Sequence, residues 1–423
     1  MCAGLRRYVE VAHPKNVGLI STAHGVNEFF SIALPPIIPL LVADLGISYA
    51  QAGLLLTVFF AMYSVFQLPA GVAADRYGKR RILVAGLAGM SLSLLLAAGA
   101  ESYATLVLAQ SLAGISGSTF HPTGMSLISD LESGGTEGRA MGVFGFGGMV
   151  GIAMSPVAIG GVAAIAGWRA ALVVAAALGA AVTVVFALSF RDPEDGTGSE
   201  RATTPETDGG RSTSSVSGRL GTLLRRVRRT INVPLTRGLV VLFLITFCIS
   251  VQTRAIQTFT TSYVADGVGG SLALGNVGFF AMLVAGSLSS LYAGGLADRV
   301  DRRRLGGAVS IGTALLVGGT FLVVNALGTV GETVVLGVVT VWFFVIGFVM
   351  YACVPVKNAL VSSHAEERFS GGLFGVIQTA SAVGSATGPA TFGALATEFG
   401  LLVAYPAIAL VALVLAAAFL SLP

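Results

Sequence analysis

The chain has 423 residues, of which 54% are hydrophobic and 11% charged, with 25 Lys and Arg against 21 Asp and Glu and a mean hydropathy of +0.83. Soluble domains carry about 25% charged residues, so this composition excludes a water-soluble globular fold. A membrane β-barrel, which needs roughly ten-residue stretches of alternating polarity, is excluded too, because the apolar residues fall in unbroken blocks of about 20, the length that crosses a bilayer as a helix.

The N-terminal stretch 1–16 holds Arg6, Arg7, Glu10 and Lys15 and lacks the apolar region of a signal peptide, so the first span is expected to be retained. Apolar blocks then predict helices over 17–41, 50–74, 82–100, 104–128, 140–165 and 169–190. The first carries His24, Asn27 and Glu28, and the fourth carries His121. Ionisable groups at membrane depth are costly and usually face a cavity. His24 and Glu28 are four residues apart, hence on one helical face. Helices 1 and 4 run in opposite directions, and both histidines lie about seven residues from the same end, so the three can share one depth. A carboxylate beside two imidazoles can pass a proton near neutral pH. The same residues, with Asn27, could instead form a static network locking helices 1 and 4, or ligate a divalent metal; no metal set is assigned.

Between residues 191 and 235 the composition turns to Gly, Ser, Thr, Pro and charge, as in a flexible linker. Within it, Leu220, Leu223, Leu224, Val227 and Ile231 recur at helical spacing against Arg225, Arg226, Arg228 and Arg229. That pattern predicts a basic amphipathic segment on an anionic membrane surface, and nucleic-acid binding is not expected. Six further blocks follow over 237–262, 272–297, 305–326, 333–360, 370–396 and 400–422. Arg254, with Gln252, Thr253, Gln257 and Thr258 around it, is the basic residue deep in a span. A fixed cation in a cavity would bind an anionic group bidentately; the alternative is snorkelling to headgroups. The expected domains are therefore 1–190, the linker 191–235, and 236–423. With both termini inside, 23 of the 25 Lys and Arg fall on cytoplasmic segments, which sets the topology. Cys2, Cys248 and Cys353 supply no disulfide framework or zinc pattern.

The two halves repeat. Gly71-Val-Ala-Ala-Asp75-Arg76-Tyr-Gly78-Lys79-Arg80-Arg81 returns 223 residues later as Gly294-Gly-Leu-Ala-Asp298-Arg299-Val-Asp301-Arg302-Arg303-Arg304. Gly151, Ser155-Pro156 and Gly160 return at an offset of 233 as Gly384, Gly388-Pro389 and Gly393. Pro156 and Gly388-Pro389 are expected to bend helices 5 and 11. Repeated halves are a transporter architecture.

The loop motif between helices 2 and 3, echoed between 8 and 9, resembles the signature of the major facilitator superfamily, and the likeness covers essentially the whole chain. It implies an all-α membrane fold of twelve transmembrane helices in two pseudo-symmetric six-helix bundles. It also implies that Gly71, Asp75, Arg76, Gly78 and Arg80, with Gly294, Asp298, Arg299 and Arg302, latch the halves during conformational switching. Ala23-His24-Gly-Val-Asn27-Glu28 and Phe120-His121-Pro122 resemble stretches of the fosmidomycin-resistance-type efflux proteins, with Glu28 where Asp is usual and Thr123 where Glu is usual. Gln110 stands where many proton-coupled members carry Arg. The expected function is secondary active transport, the proton-coupled export of a small, possibly anionic compound or drug by a monomer in the plasma membrane, without a cofactor. No phosphate-binding loop, nucleophile–base pair or large extramembrane domain supports an ATP-driven pump, an enzyme or a receptor. Import of an organic anion and export of a divalent metal stay open as alternatives.

Overall fold

A computed structural model describes residues 11–132, 134–191, 236–326, 332–364 and 370–422. Among these residues the structure is helical, with no strand. The first half comprises α1 (Pro14–Ser31), α2 (Ile38–Leu45), α3 (Tyr49–Tyr77), α4 (Lys79–Ala98), α5 (Tyr103–Gly117), α6 (Phe120–Leu131) and α7 (Glu137–Ser189). The second comprises α8 (Arg237–Ser262), α9 (Leu272–Ala297), α10 (Arg302–Ala326), α11 (Glu332–Tyr351), α12 (Cys353–His364), α13 (Ser370–Phe399) and α14 (Leu401–Ser421). Joined across their breaks, α1–α2, α5–α6 and α11–α12 are each one span, and α7 is two spans that part at Gly167, whose φ is 84°. Twelve spans result, six in each half. The basic amphipathic segment expected at 219–231 lies outside the described residues.

Three spans expected to be continuous are broken, each at the same place relative to a proline. A proline ring clashes with the carbonyl four residues earlier and offers that carbonyl no N–H. Pro35 lies four residues after Ser31, where α1 ends; Pro122 after Ser118, the C-cap of α5; Pro355 after Tyr351, where α11 ends. The first break turns the chain by 41°. In α7 the departure from helical dihedrals is at Gly167 and not at Pro156, and α13 likewise continues through Gly388-Pro389. What those positions provide is close approach. A Cβ on Gly388 would lie 2.5 Å from the Val251 carbonyl oxygen, and one on Gly53 would collide with that of Pro389.

The residues of the largest buried cluster come from the first half, and two further clusters lie mainly in the second. The halves meet along two seams, α3 against α13 and α7 against α9. Polar contacts across the seams gather at the end of the bundle opposite the 191–236 connection. There Tyr49 donates to Asp266, Ala50 N–H to Thr397 (2.8 Å), Thr57 to the Ala386 carbonyl (2.6 Å) and Asn276 to the Pro36 carbonyl (3.1 Å). This far end is shut. Below it, toward the linker end, a cavity of about 250 Å³ opens between the halves.

Candidate functional site

α1 and α7 touch backbone to backbone: a Cβ on Gly151 would meet the Gly25 carbonyl, and one on Gly148 would meet the His24 ring at 2.6 Å. That proximity stacks His24 on Phe144, centroids 3.8 Å apart and 4° from parallel, and sets Nδ1 2.9 Å from the Phe144 carbonyl oxygen. A carbonyl only accepts, so Nδ1 carries the hydrogen, and Nε2 of the neutral ring presents a lone pair. Nε2 faces Glu28 Oε1 at 3.6 Å, and His121 Nε2 faces the same oxygen at 3.8 Å. Both distances exceed hydrogen-bond length. One donor atom from each of the three residues lies within 4.8 Å of the others, room for one small cation among them. His24 and Glu28 are buried, and His121 is partly open to the cavity, its ring edge-on to Tyr63 at 6.0 Å.

Asn27, grouped with these residues in the sequence, points elsewhere. Its Nδ2 donates to the Gly117 carbonyl (3.1 Å) and toward Met90 Sδ (3.2 Å). It thereby satisfies a carbonyl left orphaned where α5 breaks before α6. The break before Pro122 places His121 on the first turn of α6.

Arg254 lines the same cavity from α8, so the cavity has a carboxylate on one half and a guanidinium on the other. Its Nη1 donates to Gln257 Oε1 (2.8 Å), Gln257 donates to Tyr351 (2.7 Å), and the guanidinium lies 4.3 Å above the Phe60 ring of the opposite half. Cation–π contact of this kind is worth about 0.5–2 kcal/mol and holds the fork in place. Gln257, named beside Arg254 in the sequence, is the i+3 neighbour that receives it. Tyr63, Tyr351 and the cavity face of α13 left no signal, because single hydroxyls in apolar runs look like packing residues.

The loop-motif residues lie away from the cavity. Asp75, Arg76 and Arg299 are exposed, Gly78 takes φ 95° where α3 turns into α4, and Gly71 packs near Pro122 while Gly294 faces open space. The later basic residues tie helix ends within their own half. Lys79 pairs with Asp130 and Arg80 donates to the Ala187 carbonyl. At the same offset, Arg302 donates to the Ala359 carbonyl (3.2 Å) and Arg303 to the Leu422 carbonyl (2.8 Å). Cations are favoured at helix C-termini by the dipole. Asp298 pairs with Arg302 at 3.4 Å. Asp301 accepts from the Arg304 and Arg303 N–H groups, which hold its carboxyl below the usual range and cap α10. Nearby at the linker end, Glu132 is buried, which opposes ionisation, yet N–H groups of Ala12 (2.9 Å) and His13 (2.7 Å) hold its carboxyl below the ordinary value.

The sequence profile of the Major Facilitator Superfamily matches residues 20–389. The fosmidomycin resistance protein of Escherichia coli is 31% identical over 132 residues, 31% of this chain and 32% of that protein, so the match spans about a third of its length. Multidrug resistance protein MdtG of Citrobacter koseri is 25% identical over 88% of this chain and 85% of its own. Among solved structures, a bacterial homolog of the human lysosomal transporter Spinster, in an inward-facing and occupied conformation, superposes with a TM-score of 0.76 at 15% identity, covering 95% of each chain. At that identity the likeness speaks for the fold.

Proposed function

The chain belongs to the major facilitator superfamily and is a membrane transporter of that family, not an enzyme; from this premise we propose that it exports a small organic compound in exchange for protons. The observation that carries the reading is one cavity between two halves, shut at the far end, with Glu28 and His121 on one wall and Arg254 on the other. The lone pair on His24 Nε2 facing Glu28 makes a seat that is favourable once a proton occupies it. Rocking of the halves would expose that seat to each side in turn. Export as the direction is supported by the resistance proteins among its relatives. The basic residues, 23 of 25 on one side, support cytoplasmic termini and linker in the cell membrane. A tag at either terminus then reaches antibody only after cells are permeabilised, and labelling of intact cells reverses the orientation.

The compound is found by comparing a knockout and an overexpressor for tolerance to antibiotics and phosphonates. With that compound in proteoliposomes, Glu28→Gln abolishes flux driven by a pH gradient and retains counterflow exchange. Undiminished gradient-driven flux in the variant removes Glu28 from proton coupling.

A further inference from the structure

Beside Glu28, His121, Ser64 and Gln67 the first half offers the cavity the rings of Phe59, Phe60 and Tyr63, and the second half offers Arg254 and a polar stripe on α13. Gln378, Ser381 and Ser385 stand at i, i+3 and i+7, one face of that helix, and all three line the cavity. Ser381 shares a hydrogen bond with Ser250 (3.1 Å). Gln378 and Ser385 have no hydrogen-bond partner among the described residues. Arg254 spends one N–H on Gln257 and makes no ion pair among the described residues. A guanidinium has five N–H donors, so most of the fork is left for a ligand.

We propose that the compound carried is a small hydroxylated anion, a hydroxy acid or phosphorylated polyol. Its negative group meets Arg254, its hydroxyls meet the Gln378–Ser381–Ser385 stripe, and its carbon skeleton lies against Phe59 and Tyr63. The proposal rests on the reading of this cavity as the transport site. A bulky lipophilic drug satisfies neither the guanidinium nor the stripe. It would leave those groups dehydrated and unpaired, a cost that rejects it.

The test is equilibrium binding to the full chain in lipid nanodiscs by calorimetry. The probes are glycerate, gluconate and glycerol 3-phosphate, set against propionate and hexanoate, which lack the hydroxyls, and glycerol and sorbitol, which lack the charge. At least one hydroxylated anion binds roughly tenfold or more tighter than both of its counterparts, as expected for a charge-assisted bond. The double variant Ser381→Ala/Ser385→Ala, too conservative to disturb folding, lowers that affinity toward the unhydroxylated acid and leaves the acid's own affinity within about twofold. Arg254→Gln lowers it toward the neutral polyol, with Arg254→Lys between. Equal binding of hydroxylated and plain acids overturns the proposal, as does indifference to the serine pair or tighter binding of tetraphenylphosphonium. Because the readout is equilibrium binding, loss of proton coupling in Glu28→Gln leaves this result standing. Gradient-driven flux of a compound of another class removes the hydroxylated anion and leaves the transporter reading in place.

Discussion

The hydrogen bond from His24 Nδ1 to the Phe144 carbonyl decides what the other ring nitrogen can do. With one nitrogen committed as donor, Nε2 accepts in the neutral ring and donates in the protonated one, and its neighbour is a carboxylate oxygen that only accepts. Without a proton between them two acceptors face each other in a buried site, so one protonation state of the pair is attractive and the other is not. Asn27, three residues away, was expected beside them and instead caps Gly117. The spacing i, i+4 places His24 and Glu28 on one face, whereas i+3 from His24 lies far enough round the helix to reach α5. Asn27→Ala leaves the Gly117 carbonyl unpaired and buried, which costs about 1–3 kcal/mol of stability. Thermal unfolding of the purified variant in detergent measures it, and an unchanged transition shows that another group already satisfies the carbonyl. That the histidines and Glu28 would meet was legible from helical spacing and end-to-end depth. The α13 stripe was not, because serine and glutamine in an apolar block give no sign of whether they face lipid, a neighbour or a cavity.

At the level of helices, the twelve spans were legible because each apolar block is as long as a bilayer is thick. Their interruptions were not. Three prolines end helices four residues upstream, at Ser31, Ser118 and Tyr351, yet Pro69, Pro156, Pro389 and Pro406 sit inside helices that continue. A missing N–H alone therefore does not decide a break; at the fourth span the neighbouring Gly117 carbonyl, also left without a helical partner, is received by Asn27 on another helix. The α3–α13 seam depends on a different residue type. Gly53 lets the Pro389 carbonyl approach α3 where a side chain could not fit, and Gly393 does the same for Tyr49, whose carbonyl oxygen would lie 2.5 Å from a Cβ there. Gly53→Val therefore wedges the far end open. In a variant carrying Thr397→Cys as reporter, reaction with a membrane-impermeant maleimide rises several-fold over the same reporter with Gly53 intact. No change in labelling means the seam absorbs the side chain without parting.

For the whole molecule, the far-end contacts and the linker-end staples have opposite relations to movement. The bonds of Tyr49, Ala50, Thr57 and Asn276 cross between halves, so every one must break if the cavity is to open on that side. The bonds of Arg80 and Arg303 do not cross: each joins a helix start to the final helix of its own bundle, Ala187 in one case and Leu422 in the other. Each bundle is thus fastened to itself at the end where the chain enters and leaves it. It follows that peptide continuity is not what holds the machine together. A gene cut in two, one piece ending after Arg191 and the other beginning at Thr236, should yield fragments that find each other in the same bilayer. Co-purification of a tagged first piece with the second, restoring the phenotype of the intact gene, is the expected result. Fragments that are stable but never associate would show that the connecting segment does more than tether.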